Sequence, residues 1–244
     1  MIPKNATTLF KTMMVNGDHQ ADYQQQNAGI HKYLRTRKEF KITDLRYFKD
    51  QEYFKFVILR NPFNRLVSAY LDKFVKLRHS DKLPELPVQK VINNVYEFLG
   101  LTPNIDKSIT FSQFVQYLTR MEDLQLDSHW RPQSAFLSLG LFEFDFIGQF
   151  EKLNLVIEYF ENKFAFKVNQ SILATSHQLH ITSYGTFQNS DKLHDKYPAE
   201  LRTLEKFPKA INLYTPELEH FVRQRYSKDI EIYEREFNES LKIS

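Results

Sequence analysis

The 244-residue chain contains no cysteine. Disulfides, thiolate metal sites and cysteine nucleophiles are therefore excluded together. A lumenal or secreted protein of this size would often carry disulfides, so the expectation is a reducing cytoplasm. Glycine is scarce, six residues in all. No G-x-x-x-x-G-K-[ST] stretch occurs, which disfavours a Walker-type ATPase or kinase. No apolar run approaches the length of a membrane helix, and no signal peptide precedes the first recognisable motif. Without a secretory signal, the glycosylation patterns beginning at Asn5, Asn169 and Asn238 carry little meaning. Charge excess is small as well. A net +3 argues against an extended nucleic-acid surface but is compatible with a local basic pocket for an anion. The eight histidines are scattered, so no metal cluster is expected.

Aromatic residues are abundant, with 22 Phe and 13 Tyr. That composition argues against disorder, and the length suits one α/β domain with a full core. The chain is organised around residues 53–74, YFKFVILRNPFNRLVSAYLDKF. Phe54 to Leu59 is an apolar run broken only by Lys55, which predicts a strand buried on both faces. Asn61-Pro62 stops it, because proline gives no ladder N–H and suits the first position of a helix. Leu66, Ala69, Tyr70, Phe74 and Leu77 then recur at helical spacing. Ligands of α/β proteins gather at the carboxyl end of such a strand. Arg60 lies there, Arg65 near the helix start and Ser68 about a turn and a half in. A forked guanidinium near a helix N-terminus suits phosphate oxygens, although the same arginine could equally pair with an acid or cap a loop.

The N-terminal stretch, Met1 to Lys11, starts on a loop and runs into a helix with Phe10, Met13 and Met14 on its apolar side. Taken alone, Pro3-Lys4 followed by Thr7 and Thr8 is ordinary helix-start chemistry.

Together the two stretches point to one family. Arg60-Asn61-Pro62-Phe63-Asn64-Arg65-Leu66-Val67-Ser68-Ala69-Tyr70 resembles the R-D-P-x-x-R-L-x-S-x-Y motif of sulfotransferases that use 3′-phosphoadenosine 5′-phosphosulfate (PAPS). The resemblance is to the branch with the Golgi carbohydrate sulfotransferases and their bacterial relatives. Asn61 stands where the family usually has Asp, a position that shapes the turn. Pro3 to Thr8 is similar to the family's 5′-phosphosulfate loop, P-K-[TA]-[AG]-[SC]-T-[ST].

The resemblance implies an α/β, P-loop-like three-layer fold with a central parallel sheet flanked by helices. It implies one sulfotransferase domain over 1–244, with 79–109 a surface insertion. In relatives a central strand precedes the first loop. At most Met1 and Ile2 remain of it here, which predicts poor stability. The implied reaction is in-line sulfuryl transfer from PAPS to an acceptor hydroxyl on a carbohydrate, without a metal. Lys4 would reach the oxygen bridging phosphorus and sulfur. Asn5, Ala6, Thr7 and Thr8 complete the cradle, and Arg60 and Ser68 hold the 3′-phosphate. His31 is the first candidate for the base, His129 the second and His19 a weaker one. The partners would be the nucleotide and a glycan, with no nucleic acid. A competing reading is an inactive sulfotransferase-like protein that only binds the nucleotide or a partner.

The rest of the chain is read more coarsely. Residues 16–50 are polar and hard to assign. Val88 to Leu99 predicts a helix closed by Gly100. Thr110-Phe111-Ser112-Gln113 is a capping box, with Phe111, Phe114, Val115 and Leu118 as the apolar face behind it. His129-Trp130-Arg131-Pro132-Gln133 resembles the family's H-W-x-P-Q segment, with Trp130 an aromatic anchor and Arg131 a candidate for an anionic acceptor. Phe142 to Ile147 predicts a second buried strand that Gly148 turns, followed by a helix over Leu153–Phe160. Leu179 to Ser183 falls where relatives carry an H-x-N-x-[ST] element. Thr215-Pro216-Glu217 starts a helix, with one apolar stripe running from Leu218 to Phe237 and Arg223 and Arg225 as candidates to flank the nucleotide.

Overall fold

The computed structural model describes residues 2–19, 53–76, 86–137, 143–165, 184–185, 187–188 and 192–244. His31, Leu77 and Leu179 to Ser183 lie outside the described residues, as does the side chain of His19. In chain order, helix α1 (Thr7–His19) precedes strand β1 (Phe56–Leu59) and helix α2 (Pro62–Tyr70), which runs into a π-helical turn, Leu71–Val75. Helices α3 (Leu86–Phe98) and α4 (Phe111–Leu118) follow, then short 3-10 turns at Asp123–Gln125 and Gln133–Phe136. Strand β2 (Phe146–Gln149) leads into helix α5 (Leu153–Phe164). Two short strands, β3 (Tyr184–Gly185) and β4 (Phe207–Pro208), flank helix α6 (Pro198–Arg202). Helices α7 (Pro216–Arg225) and α8 (Ser227–Phe237) close the chain. This is a mixed helix–strand architecture with small parallel sheets.

The chain divides into two compact units, Met1–Arg60 with Phe136–His180, and Asn61–Ala135 with Ile181–Ser244. In the first, β1 and β2 pair in parallel, with Phe56 opposite Phe146 and Leu59 opposite Gln149. Their shared core joins Leu9, Phe10 and Met13 of α1 to Ile58 of β1 and to Leu153, Val156, Ile157 and Phe160 of α5. Phe146 stacks on Tyr159 with ring centres 4.1 Å apart, and Phe56 meets Phe160 edge-on at 4.7 Å. Each buried side chain of that core, Leu9, Phe10 and Met13 among them, stabilises by roughly 1.5–3 kcal/mol, so α1 is fixed by packing rather than by propensity.

Gly148 does not turn the chain after β2, as its sequence context suggested; it lies within the strand opposite Ile58. A Cβ there would sit 2.6 Å from Ile58 Cδ1 and 3.0 Å from Val156 Cγ2. The residue is small because the side chains of Ile58 on the paired strand, Phe146 and Val156 of α5 all close on that point.

In the second unit, α2 presents Phe63, Leu66, Ala69 and Tyr70 to the core. The π-helical turn, closed by Lys76 N–H to Leu71 O at 2.7 Å, brings Phe74 in line with Tyr70. Tyr70, Phe74, Phe111, Phe114 and Trp130 form a continuous aromatic cluster. The capping box at Thr110 and Gln113 forms as expected, and the apolar face of α4 is fully buried. Helix α3 lies in the expected 79–109 insertion, yet it buries Val88, Ile92 and Val95. Gly100, at φ 67, ends that helix in the left-handed region.

The expected continuous helix after Thr215 is two helices. It breaks at Tyr226, whose φ −111 and ψ 26 lie outside the helical range. No proline or glycine breaks it. Tyr226 is buried with its hydroxyl donating to Trp130 O. Asp229, one turn on, accepts from Gln133 N at 2.6 Å and Ser134 N at 2.8 Å.

Candidate functional site

In the first unit, the N-terminal loop leaves Ile2, whose carbonyl accepts from Asn5 N–H at 3.3 Å and from the Thr7 hydroxyl at 2.8 Å. Lys4 and Ala6 adopt positive φ, 69 and 56, while Asn5 between them does not. Non-glycine residues rarely occupy that region, and alternation of backbone hand is the arrangement in which successive N–H groups form an anion-binding concavity. The buried Asn5 side chain fixes the loop to the sheet by donating from Nδ2 to Ile58 O at 2.7 Å. Helix α1 begins at Thr7, directly after the loop.

Arg60 closes the same assembly at the carboxyl end of β1. Its Nη1 donates to Lys4 O at 2.9 Å, and its guanidinium lies 4.2 Å from the centre of the Phe150 ring. Lys4, Asn5, Ala6, Thr7, Thr8 and Arg60 are thus brought together within one unit, as two stretches more than fifty residues apart in sequence. Thr7 spends its hydroxyl proton on Ile2 O. Thr8 is exposed.

In the second unit, Asn61 caps α2. Its Oδ1 accepts from Phe63 N at 3.0 Å and Asn64 N at 3.4 Å, and its Nδ2 donates to Lys242 O at 2.7 Å. A carboxylate could make the first two bonds but not the third. Ser68 lies inside the helix at 6% exposure. Arg65 is 2% exposed and donates to Arg131 O at 2.8 Å and Ser128 O at 3.0 Å. It therefore holds the loop carrying His129.

His129 sits in that loop with Nδ1 2.6 Å from Asp127 Oδ1, the same oxygen that accepts from its backbone N–H at 2.8 Å. Burial alone would raise the Asp127 pKa. The hydrogen bonds from His129 and the charges of His129 and Lys73 outweigh it, and the carboxyl lies below its ordinary value. Trp130 is the anchor expected of it, buried against Phe74 and Phe114. Arg131, expected to face an acceptor, donates to Leu124 O and Leu126 O. Arg225, expected near the nucleotide, donates to Leu118 O and Met121 O and pairs with Asp123, while Arg223 pairs with Glu219. Sequence reasoning missed Asp127 and Phe150. The D-x-H spacing was the signal for the first, and no local signal marks the second.

Among the described residues, no group of three or more potential ligands could hold a metal ion, and no helix is long and apolar enough to cross a membrane.

The profile of the Sulfotransferase family matches residues 1–237. The chain is similar to human carbohydrate sulfotransferase 14, 30% identical over 116 residues, covering 46% of this chain and 30% of that protein. It is similar to human carbohydrate sulfotransferase 9, 28% identical over 166 residues, covering 65% and 37%. Zebrafish carbohydrate sulfotransferase 11 is 26% identical over 163 residues, covering 62% and 46%. The chain thus spans less than half the length of these relatives. No solved structure matches the chain. The expected cytoplasmic location is corrected by these relatives: they are vertebrate carbohydrate sulfotransferases, of the branch that includes the Golgi enzymes, and nothing in them supports the cytoplasm. With a profile match over nearly its whole length, the chain belongs to the sulfotransferase family.

Proposed function

We propose that this chain transfers a sulfuryl group from PAPS to a hydroxyl of a carbohydrate by in-line displacement. The observation that carries the reading is the Lys4–Ala6 loop. Its alternating backbone hand, its position before the N-terminus of α1 and its attachment to Ile58 and Arg60 suit a phosphate cradle. The family supplies the reaction class, and the names of the relatives supply the acceptor class.

The same reading takes residues 1–244 as one domain of P-loop-like, three-layer fold, with 79–109 an insertion. The parallel pairing of β1 and β2 and the packing of α1 and α5 on them support it.

PAPS supplies a sulfuryl group on a good leaving group, the 5′-phosphate. Lys4 places its ammonium at the oxygen that bridges phosphorus and sulfur. The N–H groups of Ala6 to Thr8 hold the 5′-phosphate, Asn5 fixes the loop through its own bonds to Ile2 and Ile58, and the exposed Thr8 hydroxyl is an added donor. Arg60 and Ser68 bind the 3′-phosphate. The acceptor oxygen bonds to sulfur as the sulfur–oxygen bond to the phosphate breaks. The electron pair of that bond leaves on the phosphate oxygen, where Lys4 and the loop N–H groups offset the charge. The hydroxyl proton passes to a base, His31 or His129. The products are a sulfate ester and the desulfated nucleotide.

A transfer screen with labelled PAPS across glycans, lipids and small phenols tests this. Label on a glycan is the expected result. Binding of the desulfated nucleotide with no transfer to any acceptor would overturn the proposal.

A further inference from the structure

We infer that Asp127 is the positioning residue of His129, and that His129 so held is the base that takes the acceptor proton. The inference deepens the sulfuryl-transfer reading and rests on it.

One oxygen of Asp127 receives both the backbone N–H and Nδ1 of His129, at 2.8 and 2.6 Å. An ionised carboxylate only accepts, so the neutral ring carries its proton on Nδ1 and keeps a lone pair on Nε2. The two side chains retain 30% and 37% of their surface, enough for a substrate hydroxyl to reach the ring.

The loop beneath them is fixed from several elements. Trp130 N and Arg131 N donate to Asp127 O at 3.1 and 2.9 Å. Arg65 of α2 binds the carbonyls of Ser128 and Arg131, Tyr226 binds that of Trp130, and the Trp130 ring is wedged between Phe74 and Phe114. Lys73, in the π-helical turn, adds positive charge near Asp127. An ordinary surface ion pair contributes little and needs no such frame, whereas a base needs its ring held to within about 0.5 Å.

In the transfer step, the acceptor O–H proton moves to His129 Nε2 as the acceptor oxygen bonds to sulfur. The imidazolium keeps its Nδ1 proton on Asp127, which stays ionised, and Nε2 releases its proton to water after the products leave.

Full-length wild type, Asp127→Asn and Asp127→Glu test this with two readouts. Nitrogen-15 NMR at alkaline pH, where the ring is neutral, reports the tautomer. The wild type is expected to show Nδ1–H. The amide of Asp127→Asn can itself donate to Nδ1 and shifts the ring towards Nε2–H. In labelled transfer, Asp127→Asn is expected to lose about 100-fold in kcat, with the acceptor KM changed less than about twofold. Asp127→Glu, which keeps the carboxylate, recovers part of the loss. An unchanged tautomer in Asp127→Asn overturns the positioning role, whatever the turnover. A KM effect with kcat intact overturns the base. An Nδ1–H wild type that transfers no sulfate overturns the transfer reading, and the base role with it, because the tautomer reports the pair alone.

Discussion

Arg60 donates through Nη1 to the backbone carbonyl of Lys4, 2.9 Å away, so the arginine that ends β1 is tied to the loop that precedes α1. Its guanidinium also lies over Phe150. One side chain therefore helps shape the candidate cradle. Arg60→Ala is expected to weaken binding of the desulfated nucleotide at least about tenfold, as loss of a charge-assisted contact requires. Arg60→Lys should recover only part of this, because an ammonium cannot stack on the ring and bond the carbonyl in one plane. Calorimetric titration of the three proteins decides it, and equal affinities would remove Arg60 from the site.

Asn61 makes a contrasting prediction. Asn61→Asp retains the cap of α2 and adds a favourable charge at the helix N-terminus, but it sets oxygen against the Lys242 carbonyl. Thermal stability should therefore stay within about 1 kcal/mol of wild type, while amide exchange near Leu241 and Lys242 accelerates. Asn61→Ala loses the cap and should cost about 1 kcal/mol or more. If Asn61→Asp proves the more damaging change, the Lys242 contact dominates the cap.

Buried Asp229 accepts two backbone N–H groups, and burial raises its pKa despite those bonds and the nearby Arg65 charge. Asparagine offers one acceptor for the two donors, so Asp229→Asn should destabilise by about 1–3 kcal/mol. The sign of the pH dependence follows from the raised value. The folded protein holds the Asp229 proton more tightly than the unfolded chain does. Its contribution is therefore fully present below the ordinary carboxyl pKa, about 4, and is lost as pH rises through the folded value. The gap between wild type and Asp229→Asn should widen as pH falls from 7 towards 4. Denaturant unfolding of both proteins across that range checks this, and a gap that narrows would contradict it.

What could be read from the sequence was local chemistry. The capping box at Thr110, the helix start at Thr215-Pro216 and the apolar strand ending at Leu59 depend on neighbours within a few residues, and each appears. The break at Tyr226 does not depend on such neighbours. It accompanies a hydroxyl bonded to Trp130 and a carboxylate bonded to Gln133 and Ser134, all more than ninety positions away. The same limit applied to arginines. Arg65, Arg131 and Arg225 bind backbone carbonyls of their own unit, as Arg60 binds that of Lys4, and no local pattern in the sequence announces those contacts. Gly148 read as a turn because much of its real constraint, the approach of Ile58 and Val156, comes from the paired strand and the next helix.

The central claim is that Lys4 acts on the leaving phosphate at the reactive end of the nucleotide. The most direct measurement compares wild type and Lys4→Ala in labelled PAPS transfer to a glycan acceptor, with calorimetric binding of the desulfated nucleotide run alongside. The account predicts transfer by wild type, loss of at least about 100-fold in Lys4→Ala, and nucleotide affinity largely retained. Transfer by Lys4→Ala at the wild-type rate would contradict it.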